Sequence, residues 1–495
     1  MPGPVRDVEP VPNVEPVANV ESVPDGRGAT TRFTRREIIE IGYSTMLGAG
    51  VAALAGNRAR AAESAGTTDP APTPRAKSVL FLFLFGGPSH LDTFDPKPEA
   101  PAEFRGDFRA INTTISGVQI CEHLPEIARR MDRLALVRSM TCNPSFGDHR
   151  MAVHGLLGGI DELPPGAGLA ASRRDWPCWC AGVEYTRRGR DGLPASVVLP
   201  GEVVDPGTGP YPAQNAGLLG AKFDPFHIRG NPADPKYHVD DSLRLPSGMT
   251  IKRLASKQTL LSELNRQQLG LAAALETIPY ENCQREAFGV LTSGRLAKAL
   301  AVEDEPAALR ERYGPHMFGQ TMLLARRLIE AGVPIVQANV SYQALWDTHY
   351  NNFEGLRNYL PHLDRGVSTL LDDMRSSGLL DETLVVIMGE FGRTPKLVQP
   401  NGTSPYFKSP GRDHWMNCFF GLFAGAGVRG GQVIGKSDAV GAYPITRAYR
   451  HSDVGATVYT ALGIHPATEI RDILGRPLRL NSGRVIEALY TGREV

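Results

Sequence analysis

The sequence predicts a three-layer α/β/α sandwich around a mostly parallel sheet, with loop-rich insertions. Three observations carry this. Short runs such as Ser78–Phe85 (SVLFLFLF) and Thr383–Met388 (TLVVIM) are apolar without alternation, as suits strands covered on both faces. Amphipathic helical segments separate them, Thr321–Ala331 and Phe353–Ser377 above all. Polar clusters follow the strands, and in open α/β sheets ligands bind beyond the carboxyl ends of the strands.

Taken in order, residues 1–30 repeat Val, Glu and Pro and lack the large apolar groups a core needs. Thr34-Arg35-Arg36-Glu37-Ile38-Ile39 is followed by a mostly apolar run from Ile41 to Gly56 and by Ala59-Arg60-Ala61-Ala62. This order reads as an export signal of the twin-arginine kind, with the alternative of a basic patch before a buried helix. On the first reading, 1–61 is a leader, 62–75 a linker and 76–485 the folded domain. The twin-arginine translocon is then a partner during export, and the mature protein is periplasmic or otherwise extracytoplasmic.

Ser78–Phe85 ends at Gly86-Gly87-Pro88, and Ser89, His90 and Asp92 come next. Asp92 is placed either for a metal or for capping a turn. Leu124–Met131 reads as a helix and Leu134–Met140 as a strand. A further helix is predicted from about Asp148 to Leu157. Its N-terminus favours anions, which makes Thr141, Cys142 and Ser145 candidate nucleophiles and brings His149 close by. Residues 160–300 read as an insertion: the first part is rich in Gly, Pro and Asp, and helical periodicity runs from Arg253 to about Leu300. Cys178 and Cys180, at i and i+2, read as structural.

Val333–Val340 is the strand before Trp346-Asp347-Thr348-His349-Tyr350. In an extended segment, Asp347 and His349 point the same way and reach one ion together. Thr383–Met388 runs into Gly389-Glu390-Phe391-Gly392-Arg393. Arg412-Asp413-His414-Trp415 leads into a short strand, Phe419–Phe423, and Val454–Leu462 closes as a helix. Asp92, Asp347, His349, Glu390, Asp413 and His414 form a set of oxygen and nitrogen donors suited to one or two divalent ions: zinc, manganese, calcium or magnesium.

Composition bounds the rest. The 495 residues are 42% hydrophobic, enough for a large core. Lys+Arg and Asp+Glu are both 53, so no basic excess points to nucleic acid. Six widely spaced cysteines make no disulfide scaffold. Past the N-terminus, no apolar run reaches the ~20 residues a membrane span needs.

GGPSHLDTFDPKP (86–98), LVRSMTCNPSFGDHRMAVHGLLGG (136–159), WDTHYNNFEGL (346–356), GEFGRTP (389–395) and GRDHWMNCFFGLFAGAGVRGGQVIGKSD (411–438) together resemble the exported family called domain of unknown function 1501. That family is described as a sulfatase-like branch of the alkaline phosphatase-like superfamily, which implies an alkaline phosphatase-like fold. By this resemblance Asp92 matches a carboxylate bridging toward a second metal. Asp347 and His349 look like the Asp/His pair of the first metal, and His414 like a late His ligand. Glu390 sits where an Asp-His pair normally follows a strand. Phe391 leaves one imidazole missing there, and His149 offsets it. Cys142-Asn143-Pro144-Ser145-Phe146 is similar to the sulfatase signature Cys-x-Pro-Ser-Arg, with Phe146 in place of the Arg. Arg393 is expected to stabilise charge on the transferred group. The implied activity is metal-dependent hydrolysis of a sulfate or phosphate ester, on a small molecule or a polysaccharide. Two alternatives stand beside it: a non-catalytic binding protein for sulfated polysaccharide, and a structural envelope protein.

Overall fold

A computed structural model describes residues 75–493, apart from 188, 190–191, 206, 208, 235–236, 238–249, 251–293 other than 253, 256 and 259, 341–343, and 401–407. The expected leader, one of the six cysteines (Cys283) and most of the expected helix from Arg253 lie outside the described residues. Those residues form an eight-stranded sheet. Its strands are β1 (Ser78–Phe83), β2 (Ala135–Met140), β3 (Ser196–Leu199), β4 (Phe226–His227), β5 (Ile335–Asn339), β6 (Thr383–Met388), β7 (Phe419–Ala424) and β8 (Gln432–Ile434). The order across the sheet is β8-β2-β7-β6-β1-β5-β3-β4.

β1 is central and pairs in parallel with β6, Phe83 opposite Met388, and with β5, Phe83 opposite Asn339. β7 alone runs against its neighbours β6 and β2. That reversal matters for function. The carboxyl ends of β1, β2, β5 and β6 share one edge, and β7 starts from that same edge.

Alternation along β1 divides the core into two layers. Val79, Phe81 and Phe83 pack with helices α1 (His149–Gly158), α2 (Trp179–Arg187) and α5 (His451–Ala461). Leu80, Leu82 and Leu84 pack with α3 (Met317–Ala331) and α4 (Asn352–Ser376). With both faces covered, every residue of β1 and β6 is buried, which explains their unbroken apolar sequence. α1 begins where Asp148 accepts the Arg150 N–H at 2.8 Å and ends at Gly159 in the left-handed region, φ 62°.

Three expectations are corrected. The stretch 160–300 is not simply an insertion, because β3 lies between β5 and β4 in the main sheet and α2 covers it. A strand of four residues is too short for its pattern to show among Gly and Pro. The helix expected over Leu124–Met131 is one turn, Pro125–Ala128, followed by a 3-10 turn at Met131–Arg133. Asp347 closes a turn, its N–H donating to the Ala344 carbonyl at 3.0 Å, and His349 follows at a bend, so the two are not in a β-strand.

The described cysteines 121, 142, 178, 180 and 418 are free and buried. No helix among the described residues is long and apolar enough to cross a membrane.

Two buried histidines couple this fold to pH. His154 accepts the Trp176 N–H at 2.9 Å, and His451 donates to the Glu390 carbonyl at 2.8 Å. Burial pushes each down to about 4, against neighbouring carboxylates that raise it. The unfolded chain therefore binds more protons than the folded one between pH about 6.5 and 4. Stability is expected to carry no penalty from these two histidines above pH 6.5. It should fall on acidification by roughly 1 kcal/mol per pH unit for each of these histidines. Thermal melts from pH 7 to 4.5 measure this, and His154→Gln should flatten the profile.

Candidate metal centre

Five segments meet at the shared sheet edge. β1 delivers Gly86 and Gly87, and the loop after β2 delivers His149 at the first turn of α1. Asp347 and His349 follow β5, and Glu390 and Arg393 follow β6. Arg412, Asp413 and His414 precede β7. The backbones are close enough to demand glycine: at Gly86, φ 117°, an added Cβ would lie 2.8 Å from the Asp347 nitrogen.

The Glu390 carboxylate is wholly buried. It accepts the Gly86 N–H at 3.0 Å, the Gly87 N–H at 3.2 Å and Nδ1 of His149 at 2.5 Å. Asp413 Oδ1 accepts Nδ1 of His349 at 2.6 Å. The Gly147 carbonyl, which can only accept, takes Nδ1 of His414 at 2.7 Å. Three imidazoles thus have their Nδ1 protons committed.

Their Nε2 atoms converge on one oxygen. Asp347 Oδ1 lies 3.2 Å from Nε2 of His149, 3.0 Å from that of His349 and 3.2 Å from that of His414. His349 Nε2 and His414 Nε2 are 3.1 Å apart. In neutral imidazoles these are lone pairs turned toward a carboxylate. Such an arrangement needs cations between its members, either protons or a metal ion. Protons can meet part of this need. His149 is raised to about 9, burial opposing the charge while the carboxylates of Asp347 and Glu390 favour it. His349 is raised chiefly by Asp347, and Asp347 is held far below the usual carboxylate range by the three imidazoles and Arg393, against the effect of its burial.

The donor set also fits a metal. Ligand atoms of His149, Asp347 and His414 lie within 4.8 Å of one another. Nε2 of the buried His149 meets Asp347 Oδ1 at 3.2 Å without the alignment of a full hydrogen bond, so it still has a lone pair to offer an ion. Anchoring of ligand imidazoles through their other nitrogen is the usual support of a metal site. Replacing Glu390 by Gln is therefore expected to weaken metal binding by about 10- to 100-fold while the chain still folds. Metal titration by calorimetry, beside a thermal melt, measures both.

The expected ligands do not all take that part. Both oxygens of Asp92 are used elsewhere: Oδ2 accepts Nε of Arg412 at 2.7 Å and Nδ2 of Asn352 at 2.9 Å, and Oδ1 accepts Arg412 Nη2 at 3.1 Å. Glu390 and Asp413 orient imidazoles from behind instead of facing the cluster. Arg393 is wholly buried. Its guanidinium donates to the Gly86, Gly87 and Arg412 carbonyls and to Asp347 Oδ1, the last at 2.6 Å. It braces the centre and has little left to offer a substrate.

Among the described residues, none of the expected nucleophiles is hydrogen-bonded to the imidazole cluster. Cys142 is buried, and burial pushes its thiol well up, so the thiolate is disfavoured. Ser145 is exposed, and its hydroxyl donates to Asn143 Oδ1 at 2.9 Å. The Thr141 N–H donates to the Tyr449 carbonyl at 2.8 Å.

Two contributors were missed. Arg412 stands in the same short stretch as Asp413 and His414, and its charge was the available signal. Phe391, taken for a lost imidazole, packs its ring 4.7 Å from the rings of both His149 and His414. A cleft of about 490 Å³ adjoins Asp347, with Tyr350, Tyr359, Glu354, Asn358 and Lys408 in its walls.

Among solved structures, the chain is similar to Ps i-CgsB in complex with k-i-k-neocarrahexaose, at 12% identity and a TM-score of 0.35, over 79% of this chain and 72% of that one. It is similar to alkaline phosphatase from the Antarctic bacterium TAB5, at 10% identity and 0.34, over 80% and 99%. It is also similar to the PsFucS1 sulfatase from Pseudoalteromonas sp., at 13% identity and 0.32, over 80% and 68%. No curated protein matches the sequence. The model of one family, described as a protein of unknown function, DUF1501, matches residues 76–490, nearly the whole described chain and every segment of the centre, and the chain belongs to that family.

Proposed function

We propose that this protein is a metal-dependent hydrolase of sulfate or phosphate esters. The observation that carries the reading is the convergence of anchored imidazole Nε2 atoms on Asp347 Oδ1. His149, Asp347 and His414 are the residues that would hold the ion, and such an ion supplies Lewis-acid charge to an ester oxygen. His349 is the most exposed of the three imidazoles, with 35% of its side chain accessible. Backed by Asp413, it is oriented as a general base or acid is, with Nε2 directed into the centre. With Thr141, Cys142 and Ser145 not hydrogen-bonded to any of the three imidazoles, water is the nucleophile this arrangement favours, and His349 the group that takes its proton. Lys408 in the adjoining cleft offers a cation to an anionic substrate.

The test is turnover of aryl sulfates and aryl phosphates by protein purified without chelators. Turnover should vanish on metal removal, return on reloading, and drop sharply in His349→Ala at unchanged metal content. Metal-loaded protein that turns over neither class overturns the reading.

We infer export by the twin-arginine route from Arg35-Arg36, the apolar run after them and Ala59-Arg60-Ala61. Fractionation of cells making the full chain tests it. An Arg35→Lys, Arg36→Lys double variant should remain in the cytoplasm.

A further inference from the structure

We infer that the centre is mononuclear and selects a first-row ion of zinc-like character over calcium or magnesium, with two nearby arginines standing where further positive charge is needed. The inference rests on the metal-centre geometry and not on the hydrolytic reading. It begins with the acids around the site. Asp92 is spent on Arg412 and Asn352, in a pair with neither side chain exposed. Glu390 is spent on His149 and two backbone amides. Asp413 is spent on His349. Among the described residues, only Asp347 turns a carboxylate oxygen into the imidazole cluster. Residues 341–343 and 401–407, next in sequence to two of the site's segments, contain no Asp, Glu, His or Cys. Among the described residues, the groups present support one ion.

Charge leads to the same number. Asp347, Glu390 and Asp413 bring three negative charges, and Arg393 brings one positive charge to Asp347. One dication on neutral imidazoles balances the set. Asp92 and Arg412 already cancel each other. A second dication would leave uncompensated charge beside the wholly buried Glu390 and Arg393, which is costly in a poorly solvated site.

Selectivity follows from the donor atoms. Two imidazole nitrogens and one carboxylate oxygen form the mutually close group, with a third imidazole beside it. Calcium and magnesium favour sites built of oxygen, whereas imidazole suits zinc and its neighbours. Three protein ligands also leave a position open, as catalytic zinc sites do.

The test is titration of metal-free protein with Zn²⁺, followed by calorimetry and by elemental analysis after desalting. One tight equivalent per chain is expected, lost in a His149→Ala, His414→Ala double variant. Millimolar Mg²⁺ or Ca²⁺ should not displace it. Asp92→Asn tests the pairing: the folded fraction should still take one equivalent. Two tight equivalents in the wild type, or displacement by Mg²⁺ or Ca²⁺, overturns the inference, and so does a wild type that takes none. These outcomes are separable from the function. One equivalent without ester turnover leaves the inference standing and removes the hydrolase reading. Turnover with two equivalents does the reverse.

Discussion

Asp347→Asn is expected to abolish tight metal binding and, with it, turnover. The substitution keeps the shape of the side chain and an oxygen that can accept from Arg393. It removes the one negative charge on which three imidazoles and a guanidinium converge. Loss of a group that merely orients a ligand costs about 10- to 100-fold in metal affinity, so loss of the central ligand should exceed 100-fold. Stability gives an independent readout. An ion at 100 times its dissociation constant stabilises the folded chain by about 2.7 kcal/mol. The wild type should therefore melt several degrees higher with Zn²⁺ than without it, and Asp347→Asn should show no such rise. Differential scanning fluorimetry across a Zn²⁺ series measures this. A variant that keeps the full metal-dependent shift would remove Asp347 from the centre.

Asp92→Ala is expected to damage folding far more than metal chemistry. Arg412 and Asp92 form a two-point ion pair in which neither side chain is exposed. Removing one partner of such a pair strands a buried charge and costs about 3–5 kcal/mol. That is a large share of the roughly 5–15 kcal/mol that holds a typical protein folded. Low soluble yield and a melting point lowered by many degrees are expected. An Asp92→Leu, Arg412→Met double variant should recover much of the loss, because apolar replacements of both members leave no charge unpaired. The comparison of single and double variants by thermal melt is decisive. If the two are equally unstable, or if Asp92→Ala melts like the wild type, the ion pair is not what holds this edge of the sheet.

The difference between these two aspartates shows where reading the sequence stops. Both follow a buried strand of the same sheet, and both lie in stretches that mix acids with histidine. Local pattern gives them equal claim to a metal. What separates them is the identity of a residue hundreds of positions away. Arg412 takes up Asp92, whereas Asp347 meets three imidazoles. Glu390 is a similar case. Its place after β6 was legible, but its service to His149 from behind follows from the amides of Gly86 and Gly87, which turn its oxygens away from the cluster.

By itself, the sequence determined the layers. Unbroken apolar runs announced β1 and β6, and helical periodicity announced α3 and α4, because burial on two faces or on one stripe is written in neighbouring residues. It also determined which edge of the sheet carries the chemistry, since polar clusters follow strands that run the same way. Only the tertiary structure decided which donors share an oxygen, which acids are spent on arginine, and that β3 belongs to the main sheet. Those are matters of distance between remote segments. A hydrogen bond changes meaning over about an ångström, while periodicity along the chain reports only which face a residue is on.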